Sequence, residues 1–239
     1  MEKCADRGPG SASTSALSAR ICICNRRVKM ALLDFEKTMK LLEQYGIRFS
    51  EYGIAESPGE AVKLAKNLGY PVALKVLSHK VVHKSDVGAV KLNLEDEKEV
   101  KAAYSKIVKA VGKSKVEGMI VQRMAPEGVE LLVGGKQDVQ FGPVVAFGLG
   151  GIFVEIFEDV SLRICPIDHE EARRMIREIK GYPILKGARG TEPVDVEALI
   201  ELLVKVSKLM NENRIKELDL NPIIAYPKAY LAVDARIIK

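Results

Sequence analysis

The sequence predicts an α+β fold in lobes, and three observations carry that expectation. Its 239 residues suffice for one large domain or two small lobes, and 47% hydrophobic with 29% charged residues is ordinary globular composition. Apolar residues switch along the chain between helical spacing and β-branched runs. Strands and helices then alternate without a strict βαβ rhythm, which argues against a doubly wound parallel sheet.

Taken in order, "ALLDFEKTMKLLEQYG" after Met30 carries Leu33, Phe35, Met39, Leu41 and Leu42 at helical spacing and stops at Gly46. "IRFSEYGIA" reads as a strand. "SPGEAVKLAKNLGY" follows as a helix with Ser57 as N-cap, Pro58 at N1, Glu60 at N3 in a capping box and Gly69 at its end. "PVALKVL" and "VGAVKLNL" are strands around the polar bridge "SHKVVHKSD", and "EDEKEVKAAYSKIVKAV" is a charged amphipathic helix. Strands are expected at 116–124, 128–134 and 143–148, then "VEIFEDVSLRICPI". A helix over 169–180 is capped by Asp168, and a long one runs from Val196 to Asn211. "LDLNPIIAY" and "AYLAVDARII" close the chain as a hairpin.

Composition excludes several classes of function. Residues 1–29 hold six Lys or Arg against two acids, whereas the rest holds 31 bases and 30 acids, so the formal charge of +5 belongs mostly to the leader. A basic footprint for nucleic acid is therefore absent from the folded part. No apolar run approaches the ~20 residues that span a bilayer, so no membrane partner is expected. Cys4, Cys22 and Cys24 lie in the leader and Cys165 alone beyond it, which fits a reducing cytoplasm without a disulfide framework. Residues 1–29 themselves read as a disordered extension or as the product of a translation start upstream of Met30.

The closing hairpin is the richest in chemistry. A turn centred on Pro227 and Lys228 pairs residues so that Asn221 faces Asp234 and Asp219 faces Arg236, all projecting from one side. Two carboxylates and an amide oxygen suit Mg²⁺, which takes hard oxygen ligands and fills its shell with water and nucleotide phosphate. A solvated face with an Asp219–Arg236 pair explains the same pattern equally well.

Lys75 interrupts the apolar strand "PVALKVL". It is either an edge or snorkelling residue or a fixed charge aimed into a cleft at a nucleotide phosphate. "QRM", Gln122 to Met124, is either a plain strand end or a hinge whose backbone meets an adenine edge; Glu130 then faces the cleft or lies on the surface. "FGLGG" permits close backbone approach to a ligand or serves a turn. There is no Walker pattern and no G-x-G-x-x-G after a first strand. His83 is flanked by Lys80 and Lys84, whose charges disfavour imidazolium and would attract a phosphoryl group. A plain surface histidine is the alternative.

Five ordered stretches, "YPVALKVLSHKVVHKSDVGAVKLNL", "VQRMAPEGVELLVGG", "FGPVVAFGLGGIFVEIFEDVSLRICPI", "YPILKGARG" and "ELDLNPI" with "VDARI", together resemble the β subunit of an ADP-forming acetyl-CoA (acyl-CoA) synthetase. That family belongs to the ATP-grasp superfamily, with the succinyl-CoA synthetase β subunit. The resemblance covers about Met30 to Lys239. It implies an ATP-grasp fold with the nucleotide cleft between an N-terminal lobe over 30–124 and a C-terminal lobe over 125–239. It implies that Lys75 holds ATP or ADP phosphates, that Gln122, Arg123 and Met124 form the adenine-binding hinge, and that Glu130 lies near the nucleotide. It further implies that Asn221 and Asp234 bind Mg²⁺, that His83 carries phosphate, and that Asp219 stabilises the phosphohistidine.

The implied reaction is acyl-CoA + ADP + Pi to carboxylate + CoA + ATP, with an α subunit supplying the CoA-binding domain, in an α₂β₂ assembly. A carboxylate–amine ligase would use the same Lys75 and Mg²⁺ site without His83. A non-catalytic nucleotide-binding subunit is the rival from another class.

Overall fold

The computed structural model describes residues 32–78, 88–151, 159–188 and 192–239. Two antiparallel sheets, each with its own core, organise them. The smaller sheet has the order β1-β4-β2-β3, from β1 (Tyr52–Ala55), β2 (Val72–Leu77), β3 (Val90–Leu94) and β4 (Gly118–Arg123). Its helices are α2 (Pro58–Leu68) and α3 (Glu97–Val111). Val72, Leu74, Val76, Met119 and Val121 on one face meet Ala61, Val62, Ala65, Val100, Ala103 and Ile107 of these helices. The opposite face, with Ala73, Lys75, Ile120 and Gln122 by strand alternation, is left for the other half of the molecule.

The larger sheet runs β10-β8-β5-β6-β7, from β5 (Val129–Asp138), β6 (Gly142–Leu149), β7 (Val160–Ile164), β8 (Glu217–Ala225) and β10 (Arg236–Ile238). β9 (Tyr230–Ala232) also pairs with β8. Helices α4 (His169–Glu178), α5 (Tyr182–Leu185) and α6 (Val196–Glu212) complete it. Leu131, Val133, Val145, Phe147, Leu218 and Leu220 pack on Leu199, Leu202, Leu203 and Val206 of the long α6.

Capping holds where polar residues announce it. The side chains of Ser57, Asp96, Asp168 and Asp195 each accept from a backbone N–H in the first turn of α2, α3, α4 and α6. The Glu60 carboxylate, expected to close a capping box on Ser57, instead accepts from Glu56 N at 2.8 Å. Glu99 repeats this one-residue offset by accepting from Glu95 N at 2.7 Å.

Two expectations need correction. First, α1 (Phe35–Gln44), expected in an N-terminal lobe over 30–124, gives Met39 and Leu42 to the larger core. Its amphipathic stripe is legible, but nothing in a stripe says which sheet it covers. Secondly, the strand expected over "IRFSEYGIA" shrinks to Tyr52–Ala55. The residues before it serve the other sheet instead: Arg48 O accepts from Ala232 N, and Ser50 N donates to Ala232 O.

From Leu32 the described chain therefore runs on the larger half, crosses to the smaller sheet near Ser50 and returns after Arg123. The two crossings are tied together, because Ser50 Oγ donates to Arg123 O at 2.8 Å and Arg123 N donates to Glu51 O at 2.9 Å. Among the described residues no helix is long and apolar enough to cross a membrane.

Candidate active site between the two sheets

The closing strands realise the register read from the sequence. Arg236 pairs with Asp219 in the β8–β10 ladder, and Ile223 pairs with Ala232 in the β8–β9 ladder. Between these rungs Val233 N donates to Pro222 O at 3.0 Å, so the same register continues and sets Asn221 level with Asp234. Leu218 and Leu220 are buried; Asn221 is exposed, Asp219 keeps part of its surface open although protein atoms surround its carboxyl, and Asp234 is half-buried. A cavity of about 350 Å³ opens on this face, its lining including Gly134, Lys136, Leu162, Glu217, Asp219 and Arg236.

The pKa of Asp219 is raised. Desolvation of the carboxyl is the first cause and the charge of Asp234 the second; the Arg236 guanidinium opposes them, and Glu217 adds to the rise. Two carboxylates thus repel across the site, with one guanidinium in partial compensation. A divalent cation would relieve that repulsion, and two carboxylate groups beside an amide oxygen are the hard donors Mg²⁺ takes. The donor set fits the ion. Among the described residues there is no group of three or more His, Cys, Asp or Glu that could hold a metal; the set here is two carboxylates and the Asn221 amide oxygen.

Lys75 lies on β2, an interior strand paired on both sides. It is 8% exposed, and its Nζ donates to Val233 O at 3.0 Å. It is therefore neither an edge residue nor a snorkelling one. The ammonium crosses from the smaller sheet to the residue next to Asp234.

Gln122 lies in both the β1–β4 and β2–β4 ladders. Its side chain is 1% exposed, and Nε2 donates to the same Val233 O at 3.0 Å. Arg123 is exposed and pairs with Glu51 at 3.6 Å. Met124 N donates to Pro71 O at 3.1 Å, so the N–H groups of both Arg123 and Met124 are committed within the protein.

Glu130 is exposed at the start of β5, where the "FGLGG" turn meets it. Gly150 N donates to Glu130 O at 2.7 Å. A Cβ at Gly150 would sit 3.1 Å from the Glu130 backbone and Cβ, so this glycine serves close approach to a neighbouring strand.

Sequence reasoning missed Val233, whose contribution is a backbone carbonyl and leaves no trace in residue type. It also missed Asp159, 8% exposed, whose carboxylate accepts from the N–H groups of Lys180 and Gly181, both at 2.7 Å. One acid of the Glu158–Asp159 pair just before a strand gives no cue of that kind. His83, with Lys80 and Lys84, lies outside the described residues; the strands on either side of it, β2 and β3, form an antiparallel pair.

Comparison with known proteins identifies the family. Residues 25–238 match the family of ATP-grasp domains. The β subunit of the ADP-forming acetate–CoA ligase I of Pyrococcus furiosus is 49% identical over 83% of this chain and 88% of its own length. The ADP-forming acetate–CoA ligase I of Archaeoglobus fulgidus is 47% identical over 84% of this chain, but only 30% of its longer chain is matched. Two structures of the dinucleotide-forming acetyl-coenzyme A synthetase 1 of Korarchaeum cryptofilum superpose closely. The first, with coenzyme A, Ca-AMPCP and HgCl⁺, has a TM-score of 0.83 at 47% identity, over 87% of this chain and 93% of that one.

The second, with coenzyme A and Mg-AMPPCP and its phosphohistidine segment pointing towards the nucleotide-binding site, has a TM-score of 0.75 at 46% identity, covering 86% and 91%. A lysine thrown across two antiparallel sheets, a register that levels an asparagine with an aspartate, and identity approaching one half lead to one assignment: the chain belongs to the ATP-grasp domain family, among the homologues of the β subunits of ADP-forming acetate–CoA ligases.

Proposed function

We propose that this chain is the nucleotide-binding β subunit of an NDP-forming acyl-CoA synthetase. The reaction is acyl-CoA + ADP + Pi to carboxylate + CoA + ATP, with His83 carrying the phosphoryl group. One observation supports this most: Lys75 Nζ reaches from the smaller sheet to Val233 O, beside Asp234 on the larger one. A cation and an acid from opposite lobes are what a bound nucleoside diphosphate with a divalent metal would require.

In the final step the N–P bond of phosphorylated His83 breaks and a new O–P bond forms to a terminal oxygen of ADP. The imidazole leaves as the neutral ring when its other nitrogen carries the N–H proton, so no imidazolide has to form. Such transfers depend on positioning and charge neutralisation more than on covalent assistance. Lys75 supplies a fixed positive charge to the phosphates. Asp219 stabilises the phosphorylated imidazole; its pKa is raised first by desolvation and then by the charge of Asp234, which Arg236 offsets only in part. Asn221 and Asp234 would hold Mg²⁺, which would neutralise phosphate charge.

Gln122, Arg123, Met124 and Glu130 border the base and ribose. Because the N–H groups of Arg123 and Met124 donate to Glu51 O and Pro71 O, an adenine edge is read by other groups of the segment.

The α partner supplies the CoA-binding domain and the chemistry that forms acyl phosphate, in an α₂β₂ assembly in the cytoplasm. Relatives such as the Archaeoglobus ligase, of which this chain matches 30%, support the view that further domains accompany this one. Incubating the α and β chains with γ-labelled radioactive ATP tests the reading. An acid-labile, base-stable label on β, absent in His83→Ala, is the expected result; no label on wild-type β overturns the relay.

A further inference from the structure

Val233 joins the two halves of the site through one atom. Its N–H is held by Pro222 O at 3.0 Å, which fixes the residue to β8. Its carbonyl oxygen accepts from Lys75 Nζ and from Gln122 Nε2, each at 3.0 Å. The β2–β4 register sets Ala73 opposite Gln122 and Lys75 opposite Ile120, so the two donors are diagonal neighbours on one face of the smaller sheet. A carbonyl oxygen offers two lone pairs, and two donors occupy both. The following residue is Asp234, whose Oδ1 accepts from Ala235 N at 3.0 Å, so the acid too has a fixed orientation.

Gln122 is 1% exposed and its amide carries no formal charge. It has no charge to set against a phosphate. What it provides is the second donor that fixes the direction of the Val233 carbonyl, against which the Lys75 ammonium is placed.

We propose that Gln122 is a positioning residue: through the shared Val233 carbonyl it registers the Lys75 ammonium of one lobe against Asp234 of the other. The proposal rests on the reading of this cleft as a nucleotide–metal site, and deepens it. With an apolar side chain of similar size at position 122, the carbonyl keeps only the ammonium. The two lobes then lose one of the bonds that align the cation with the acid.

The test is a double-mutant cycle on the full chain, with ADP and MgCl₂ as the probe and the dissociation constant read by titration calorimetry. Gln122→Met keeps the volume and removes the donor. Contacting residues that act together couple, so it should weaken ADP–Mg²⁺ binding by about tenfold with Lys75 present and by less than about twofold in a Lys75→Met background. Gln122→Leu gives the same comparison should the methionine variant fail to fold. Equal weakening in both backgrounds means that Gln122 merely supports the sheet, and overturns the proposal. A wild-type chain that binds no ADP overturns the nucleotide reading and this inference with it, an outcome distinct from additive losses in a chain that does bind.

Discussion

Asp219 stands directly opposite Arg236 in the β8–β10 ladder, yet its pKa is raised despite the guanidinium, because desolvation and the charge of Asp234 prevail. A carboxyl whose pKa is higher folded than unfolded binds its proton more tightly in the native state. Its contribution to stability is therefore greatest below the unfolded value, about 3.9, and is lost as pH rises through the folded one. Asp219→Asn should raise the melting temperature near neutral pH, with the gain vanishing in acid. The same variant should lose phosphoryl transfer. Melting curves across pH, alongside activity with the α partner, check both; a gain that persists unchanged in acid refutes the electrostatic account.

Removing Lys75 should affect chemistry more than folding. Lys75→Met is expected to lower kcat/KM by about 10² to 10³, the usual loss for one preorganised electrostatic donor. Lys75→Arg should not restore activity. The side chain is 8% exposed and its Nζ sits 3.0 Å from Val233 O, which leaves little room for a planar guanidinium. Steady-state kinetics with ADP as the varied substrate decide the point.

Gly150→Ala should damage the site from outside it. The added methyl would meet the Glu130 backbone at 3.1 Å, so the turn or the strand must move. Overpacking of this kind costs about 1–3 kcal/mol. Denaturant titration should show that loss, together with a higher KM for ADP as Glu130 shifts. A variant with wild-type stability and KM would remove the proposed link between the turn and Glu130.

The placement of α1 gives a test of which half owns it. Leu42 is 1% exposed within the larger core, and Leu42→Ala should cost about 2–5 kcal/mol. Hydrogen exchange should quicken first at β5, β6 and β8. If β2 and β4 lose protection first, α1 supports the smaller sheet after all.

What the sequence disclosed depended on whether the information was local. The hairpin register was legible because strand alternation and a short polar turn between two runs fix it, and Arg236 duly faces Asp219. Helix caps at Ser57 and Asp168 were legible for the same reason: residue type and spacing determine them within one turn. The direction of Lys75 was not. Its strand is apolar on both sides of the sheet, so alternation gives no inside or outside, and only the interlobe contact resolves it. Nor could residue type announce that Gln122 and Lys75 share a carbonyl 111 and 158 residues away along the chain. The same holds for α1, whose stripe fits either core until Leu32 and Phe49 are seen bridged to Ile238 and Ala232.

That last pairing also bears on how such a unit can be joined to others. Leu32 bridges Ile238, and Leu33 N donates to Ile237 O at 2.8 Å, so the first and last described segments run side by side on one sheet. A unit whose two ends emerge together can be tethered to a neighbour by a linker at either end without straining the cleft, which depends on contacts well inside both ends. Relatives of both lengths occur: this chain matches 88% of the Pyrococcus β subunit but only 30% of the longer Archaeoglobus ligase.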